Sequence, residues 1–343
     1  MSAAPHSEHP GIPVIDIGSL LDRQRSPDER ATVAAAIDRA CREVGFFAIS
    51  SHGVDLLLQA RLDRAARTFF ALPDRTKAEI AMARAGSAWR GWFPVGGELT
   101  SGRPDHKEGL YFGLELPDDH PRVVSGTPLH GRNLFPDAPS DLAPTVLEWL
   151  DAMRNVADAV MCGIAVGLGL SATWFEEQLT ADPTVLFRIF HYPPDVDTDF
   201  PDDRDWGVGE HTDYGLLTLL AHDGNPGLQV ELLEGTWIDL DLDSSLLVCN
   251  IGDMLERLTG GRYRSTPHRV RNTSGTDRLS FPYFFDPSWD ATVPTLPLID
   301  ASPNRRDQRW DGQDVQAWSG TYGDYLAAKV AKVFPDLFTA LRP

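Results

Sequence analysis

The sequence predicts a mainly β protein with flanking helices, and three observations lead there. From about residue 184 to about 286 the chain breaks into short β-branched and aromatic runs, at 185–192, 216–220, 228–233, 246–250, 268–271 and 279–285, parted by Gly, Pro, Asp and Asn. Many short strands with evenly spaced turns are the pattern of a β-sandwich or jelly roll. Apolar residues at helical spacing lie both before and after that stretch, and no repeat or low-complexity linker divides the chain. We therefore expect one domain over 1–343, with a mainly helical region at 1–180, a jelly-roll core at 181–290 and a helical extension at 291–343.

Taken in order, Ile12-Pro13-Val14-Ile15-Asp16-Ile17 alternates like a short strand. Ser26-Pro27-Asp28-Glu29 then reads as a capping box with Pro in the first helical turn. Val33, Ile37, Cys41 and Val44 recur at helical spacing, and Gly45 supplies a stop before the β-rich Phe46-Phe47-Ala48-Ile49. Leu58, Leu62, Ala65 and Phe69 mark a second helix that Pro73 breaks. The stretch 86–105 is rich in Gly, Trp and Pro and reads as an aromatic loop. A long helix is expected over about 143–168, another capped by Ser171, and a closing helix over 322–334 with Tyr325, Val330 and Val333 inward.

Bulk composition excludes several function classes. With 50 acidic against 31 basic side chains the formal charge is −19, which repels a polyanion, so nucleic acid is a poor partner. The N-terminus has no basic n-region or apolar h-region, and no run has the length of a membrane span. Three scattered cysteines, Cys41, Cys162 and Cys249, suit a reducing compartment better than a disulfide framework. A cytoplasmic protein acting on a small molecule is the expectation, and the oligomeric state is left open.

The chemistry concentrates at His211-Thr212-Asp213, read as the entrance to a strand. Side chains two apart in an extended chain share a face, so this imidazole and carboxylate can converge on one ion. His268, at the start of a later strand, can be brought to them by an antiparallel jelly roll. Two His and one carboxylate on one face of an octahedron suit non-haem iron(II) and leave three positions open. Downstream, Arg278-Leu279-Ser280 offers a planar fork and a hydroxyl on one face of a strand. A buried guanidinium is costly unless it meets an anion, and a carboxylate matches its fork.

The order His-x-Asp, His, Arg-x-Ser resembles the iron(II)/2-oxoglutarate-dependent oxygenases, in their isopenicillin N synthase-like branch. The likeness covers most of the chain: IPVIDI and GFFAISSHGV near the start, Trp89-Arg90-Gly91-Trp92, DHKEGLYFG from Asp105, HTDYGLLTLL from His211, GLQV from Gly227, NIGDMLERLTGGRYRSTPHRV from Asn250 and RLSFPYFF from Arg278. It implies a double-stranded β-helix of the cupin-like kind, with Fe(II), 2-oxoglutarate as co-substrate, and O2. It also implies that a small organic substrate is hydroxylated, desaturated or cyclised with release of succinate and CO2, and that the hydroxyl of Tyr192 reaches the 2-oxoglutarate carboxylate. Phe190 departs from the pattern, standing where some relatives have Asn. An oxidase like isopenicillin N synthase, using Fe(II) and O2 without 2-oxoglutarate, is the alternative within the likeness. A zinc hydrolase and a non-catalytic carrier of a small acid lie outside it.

For the primary substrate, Arg188 shares a strand face with Phe190 and is a candidate contact. Arg90, Trp92, Phe112 and Phe285 are further candidates for the substrate wall, with Trp89 and Tyr111, although aromatic residues serve equally well as plain core. Seven other histidines are expected outside the site: His52 and His222 bonding backbone, His191 on the opposite strand face, and His6, His9, His120 and His130 solvated. Asn250 and Asp253 are expected to shape a turn beside the metal. An amino-acid derivative, a peptide or a secondary-metabolite scaffold is compatible as substrate, because loop sequence does not reveal pocket shape.

Overall fold

A computed structural model describes residues 11–22, 24–100, 102–194, 206–297 and 311–335. His6 and His9 fall outside them. Two sheets form a jelly roll. The larger is built from β1 (Val14–Asp16), β2 (Phe46–Ser50), β3 (Gly91–Phe93), β4 (Glu108–Gly113), β5 (Pro183–Tyr192), β7 (Leu217–His222), β10 (Leu247–Ile251) and β12 (Arg278–Ser288), in the order β1-β2-β10-β7-β12-β5-β4-β3. The smaller holds β6 (Val208–His211), β8 (Leu228–Glu231), β9 (Trp237–Leu240) and β11 (His268–Val270), in the order β6-β11-β8-β9. A pocket lies between them, walled by β5, β7, β10 and β12 on one side and by β6, β8 and β11 on the other.

Helices cover the outer face. Helix Pro27–Glu43 starts with the expected capping box: Ser26 Oγ accepts from Glu29 N at 3.2 Å, and Glu29 Oε2 accepts from Ser26 N at 2.9 Å. Ala34, Ile37, Ala40 and Cys41 make its buried stripe, and the chain then turns at Gly45 with φ of 76°, where glycine avoids the Cβ penalty. Helix Leu56–Phe70, capped by Asp55, buries Leu58, Leu62, Ala65 and Phe69. The long helix Leu142–Gly167 backs the larger sheet, with Trp149 lying 6.4 Å from the Phe187 ring of β5. Helix Tyr322–Val333, with its own Thr321–Asp324 capping box, closes the pocket through Leu326, Val330 and Val333.

Three expectations are corrected. The stretch 86–105 is not all loop: Gly91, Trp92 and Phe93 pair with Tyr111, Leu110 and Gly109, and a strand of three residues carries too little periodicity to be seen before its partner is known. The short helix expected to follow Ser171 begins at Trp174, with Thr173 as its cap residue. His211 does not enter a strand but ends β6, and Asp213 lies in the turn to β7. Among the described residues no helix is long and apolar enough to cross a membrane.

Candidate active site

The turn after β6 is clamped from several sides. Asp253 N donates to Asp213 O at 2.8 Å, Gly252 N to Leu216 O at 3.0 Å and Met254 N to Gly215 O at 3.0 Å. Gly252 is needed for this approach, since a Cβ there would lie 2.5 Å from the Gly215 carbonyl oxygen. Asp253, fully buried, also accepts from the Tyr325 hydroxyl at 2.7 Å, tying the C-terminal helix to the same turn. Antiparallel pairing of β6 with β11 sets His268 directly opposite His211, and their rings lie 4.2 Å apart.

The three side chains then converge, with ligand atoms all within 4.8 Å of one another. Asp213 Oδ1 is 3.9 Å from His211 Nε2 and 3.8 Å from His268 Nε2. Every far side is occupied. His211 Nδ1 donates to Gly209 O at 2.8 Å and His268 Nδ1 to Thr266 O at 3.1 Å, and because a carbonyl only accepts, each Nε2 keeps its lone pair for the centre. Asp213 Oδ2 accepts from Thr218 Oγ1 at 2.5 Å and Asn250 Nδ2 at 2.6 Å, which leaves Oδ1 facing the histidines. Burial pushes the Asp213 carboxyl upward, but the two histidines and these hydrogen bonds outweigh it and hold the group below the usual carboxylate range. Burial, then His268, pushes His211 down to about 3, so its imidazole is neutral. Two imidazole Nε2 atoms and one carboxylate oxygen, with the opposite side open to the pocket, fit a divalent iron.

Alternation along β12 turns Arg278, Ser280, Pro282, Phe284 and Asp286 into the pocket, and along β5 Leu186, Arg188, Phe190 and Tyr192. Arg278 pairs with Tyr192 in register. Its guanidinium lies 4.9 Å from the Tyr192 ring, donates from Nε to Asn225 O at 3.3 Å, and is 2% exposed. Nη1 has no hydrogen-bond partner among the described residues. The Tyr192 hydroxyl lies 3.3 Å from Ser280 Oγ, and burial raises its pKa, keeping it a donor. Gly227 passes beside this corner with φ of 133°, and a Cβ there would sit 2.1 Å from Arg271 O. An orphaned buried cation with two hydroxyls beside it fits a carboxylate.

Sequence reasoning missed much of the remaining wall. Glu98, Thr100, Lys107, Tyr214, Asp286 and the helix residues Leu326, Val330 and Val333 also line the pocket. Lys107 is held by Glu98 Oε2 at 2.8 Å and Asp105 Oδ2 at 2.5 Å, and Tyr111 donates to Glu98 Oε1. Burial lifts Asp286 to about 7, against the hydrogen bond it accepts from Tyr322 at 2.5 Å. Period-two alternation from Arg278 reaches Asp286 and supplied a usable signal; the residues from the 94–107 segment and the C-terminal helix carried none.

Of the five candidate substrate contacts, the pocket includes Arg188 alone among the described residues. Arg90 points elsewhere, donating from Nη2 to Leu129 O at 2.6 Å, with burial lowering its pKa to about 10. Trp92 donates to Glu108 Oε2 at 2.8 Å, a carboxylate also paired with Lys77 at 2.7 Å. Phe112 stacks on Phe135 and Phe187. Phe285 takes the odd-numbered face of β12, under the Arg154 guanidinium at 5.3 Å. All four are buried, and none lines the pocket among the described residues.

The other histidines largely lie where expected. His52 bonds Ser245 O at 2.9 Å, His222 accepts from Gly224 N at 3.2 Å, and His191 sits between Glu108 and Asp277 on the outer face. His120 and His130 are half-buried rather than solvated: His120 Nδ1 accepts from Arg122 N, and His130 Nδ1 contacts Pro128 O at 2.8 Å.

Comparison with known proteins agrees with this geometry. Residues 183–287 match the family model of the 2OG-Fe(II) oxygenase superfamily, and residues 12–138 that of the non-haem dioxygenase in morphine synthesis N-terminal region. The chain is 45% identical, over 95% of both sequences, to a Dictyostelium discoideum protein named "Probable iron/ascorbate oxidoreductase". It is 35% identical to a homoarginine-6-hydroxylase of Glycine max, over 95% of this chain and 98% of that one. Among solved structures it resembles a full-length Neurospora crassa protein in complex with alpha-KG and thymine, with a TM-score of 0.76 and 25% identity over 94% of this chain and 98% of that one.

Proposed function

The chain belongs to the 2OG-Fe(II) oxygenase superfamily, and from that premise we propose that His211, Asp213 and His268 hold its iron(II) while Arg278, Ser280 and Tyr192 receive the far carboxylate of 2-oxoglutarate. It is an Fe(II)- and 2-oxoglutarate-dependent oxygenase. Bound there, iron(II) would activate O2 as the oxidant, two electrons coming from 2-oxoglutarate as it leaves as succinate and CO2 and two from a small organic substrate.

The chain's own residues do the positioning. Gly209 O and Thr266 O fix both imidazole tautomers, and Thr218 with Asn250 restricts Asp213 to one donor oxygen. Arg278 aligns a dicarboxylate through charge and planarity, with Ser280 and Tyr192 fixing its rotation. The apolar face of helix Tyr322–Val333 and the rings of Phe190 and Phe284 limit water. We read 1–343 as one oxygenase unit, because strands from the first part of the chain complete the same sheet that carries the site. Three free cysteines support a reducing, cytoplasmic setting. Relatives named for homoarginine, and a neighbour complexed with thymine, support a primary substrate of that size.

The observation that carries the assignment is the convergence of Asp213 Oδ1 with two lone-pair nitrogens, every opposing atom already bonded. Its test is an anaerobic titration of the apoprotein with iron(II), then 2-oxoglutarate, followed through the visible charge-transfer band of a chelated keto acid. The band should form in the wild type, fail in His211→Ala, and need far more 2-oxoglutarate in Arg278→Gln. A band that formed unchanged in both variants would overturn the residue assignment.

A further inference from the structure

We propose that Arg188 receives a carboxylate of the primary substrate, making this an oxygenase of small organic acids; the proposal rests on the reading that Arg278 serves 2-oxoglutarate and the triad serves iron. Among the described residues the pocket presents three cations: Arg278, Lys107 and Arg188. Lys107 is satisfied, with two carboxylates at 2.8 and 2.5 Å. Arg188 is not. Its one acidic contact among the described residues is Glu98 Oε1 at 3.6 Å, beyond hydrogen-bond length, and that oxygen already accepts the Tyr111 hydroxyl. Nε of Arg188 has no acceptor among the described residues.

Its position is nevertheless held by aromatic rings. The guanidinium lies 4.3 Å from the Tyr111 ring and 4.8 Å from the Phe284 ring. Aromatic faces hold a guanidinium by its flat side and leave the donor edge for a ligand. Arg188 lies four residues from Tyr192 on the same inward face of β5, so about 13 Å of strand separates it from the corner assigned to 2-oxoglutarate. One carboxylate therefore does not engage both arginines. An under-paired guanidinium held in the pocket calls for a planar anion, and Phe190, Leu326, Val330 and Val333 give that anion's carbon body an apolar wall.

The test uses holoenzyme loaded anaerobically with iron(II) and 2-oxoglutarate. Hexanoate, phenylacetate and L-homoarginine are each titrated against the matching primary amide, with thymine as a neutral ring, and binding is read as a shift of the charge-transfer band. At least one acid should bind about thirtyfold or more tightly than its amide, the cost of leaving a buried charge unpaired. Arg188→Gln should erase that preference, Arg188→Lys should keep part of it, and both should leave the 2-oxoglutarate titration at its wild-type value. Equal binding of acids and amides, thymine as the one binder, no acid bound at all, or a preference that survives Arg188→Gln would each overturn the proposal. Absence of the band in the wild type would instead sink the parent assignment of iron and 2-oxoglutarate.

Discussion

Thr218→Val removes a hydroxyl while keeping shape, and its consequence can be worked through. Thr218 Oγ1 and Asn250 Nδ2 both donate to Asp213 Oδ2, at 2.5 and 2.6 Å, and both are buried. A hydrogen bond to a charged acceptor is worth roughly 1.5–3 kcal/mol, and loss of a group that orients a metal ligand weakens the metal by about 10–100-fold. With metal at about 1,000 times its dissociation constant, binding adds about 4.1 kcal/mol to stability; a tenfold weaker site adds about 2.7. At roughly 2.1 cal/mol/K per residue, a chain of 343 residues unfolds with an entropy of about 0.7 kcal/mol/K. Each tenfold loss therefore removes about 2 °C from the increment in Tm that metal confers. The assay is an anaerobic melt with and without iron(II) for wild type, Thr218→Val, Asn250→Leu and the double variant. Because the two donors share one oxygen, the double variant should lose more than the sum of the singles. An unchanged increment in the double variant would refute the view that Asp213 is held as a one-oxygen ligand.

Arg278→Ala should raise the 2-oxoglutarate KM about thirtyfold or more, from a loss of about 2–5 kcal/mol for a buried charged pair, with an unchanged KM placing the co-substrate elsewhere. Asp286, lifted to about 7 by burial, binds a proton more tightly folded than unfolded. Its contribution, about 4 kcal/mol over some three pH units, is present below pH 4 and fades as the pH rises through 7. Denaturant titrations of the apoprotein should therefore show wild type losing stability relative to Asp286→Asn between pH 4 and 7, since the opposing rise from His211 and His222 is common to both; equal slopes would count against a buried, neutral Asp286. Ser26→Ala should cost about 1 kcal/mol by losing the capping box of helix Pro27–Glu43, seen as a lower denaturation midpoint with unaltered succinate release.

The parts of the molecule readable in advance share one property: the information is local. The capping box at Ser26–Glu29 is four consecutive residues. The strands around 185–192 and 279–285 carry their own turn punctuation and β-branched content. Asp213 and His211 are separated by one residue, so their common direction follows from backbone geometry, although the chain there is leaving a strand rather than entering one. β3 and β6, of three and four residues, exist only because β4 and β11 offer them an edge, and nothing in Gly91-Trp92-Phe93 alone tells strand from loop.

The substrate wall shows the same limit and a way past part of it. Aromatic character makes Phe285 a candidate for the pocket wall, yet the register that turns Arg278 and Ser280 inward necessarily turns 285 outward and 286 inward. Applying the alternation throughout β12 and β5 selects Asp286, Phe284, Arg188 and Phe190, the residues that line the cavity. Glu98 and Lys107 obey no such rule. They are held to each other in a buried ion cluster with Asp105, and Leu326 and Val330 reach the site because Tyr322 and Tyr325 dock their helix on Asp286 and Asp253. Those contacts join residues far apart in sequence and leave no mark on strand periodicity, which by itself selects Arg278, Ser280 and Tyr192, while the meeting of His211, Asp213 and His268 also needs the β6–β11 pairing and the clamped turn.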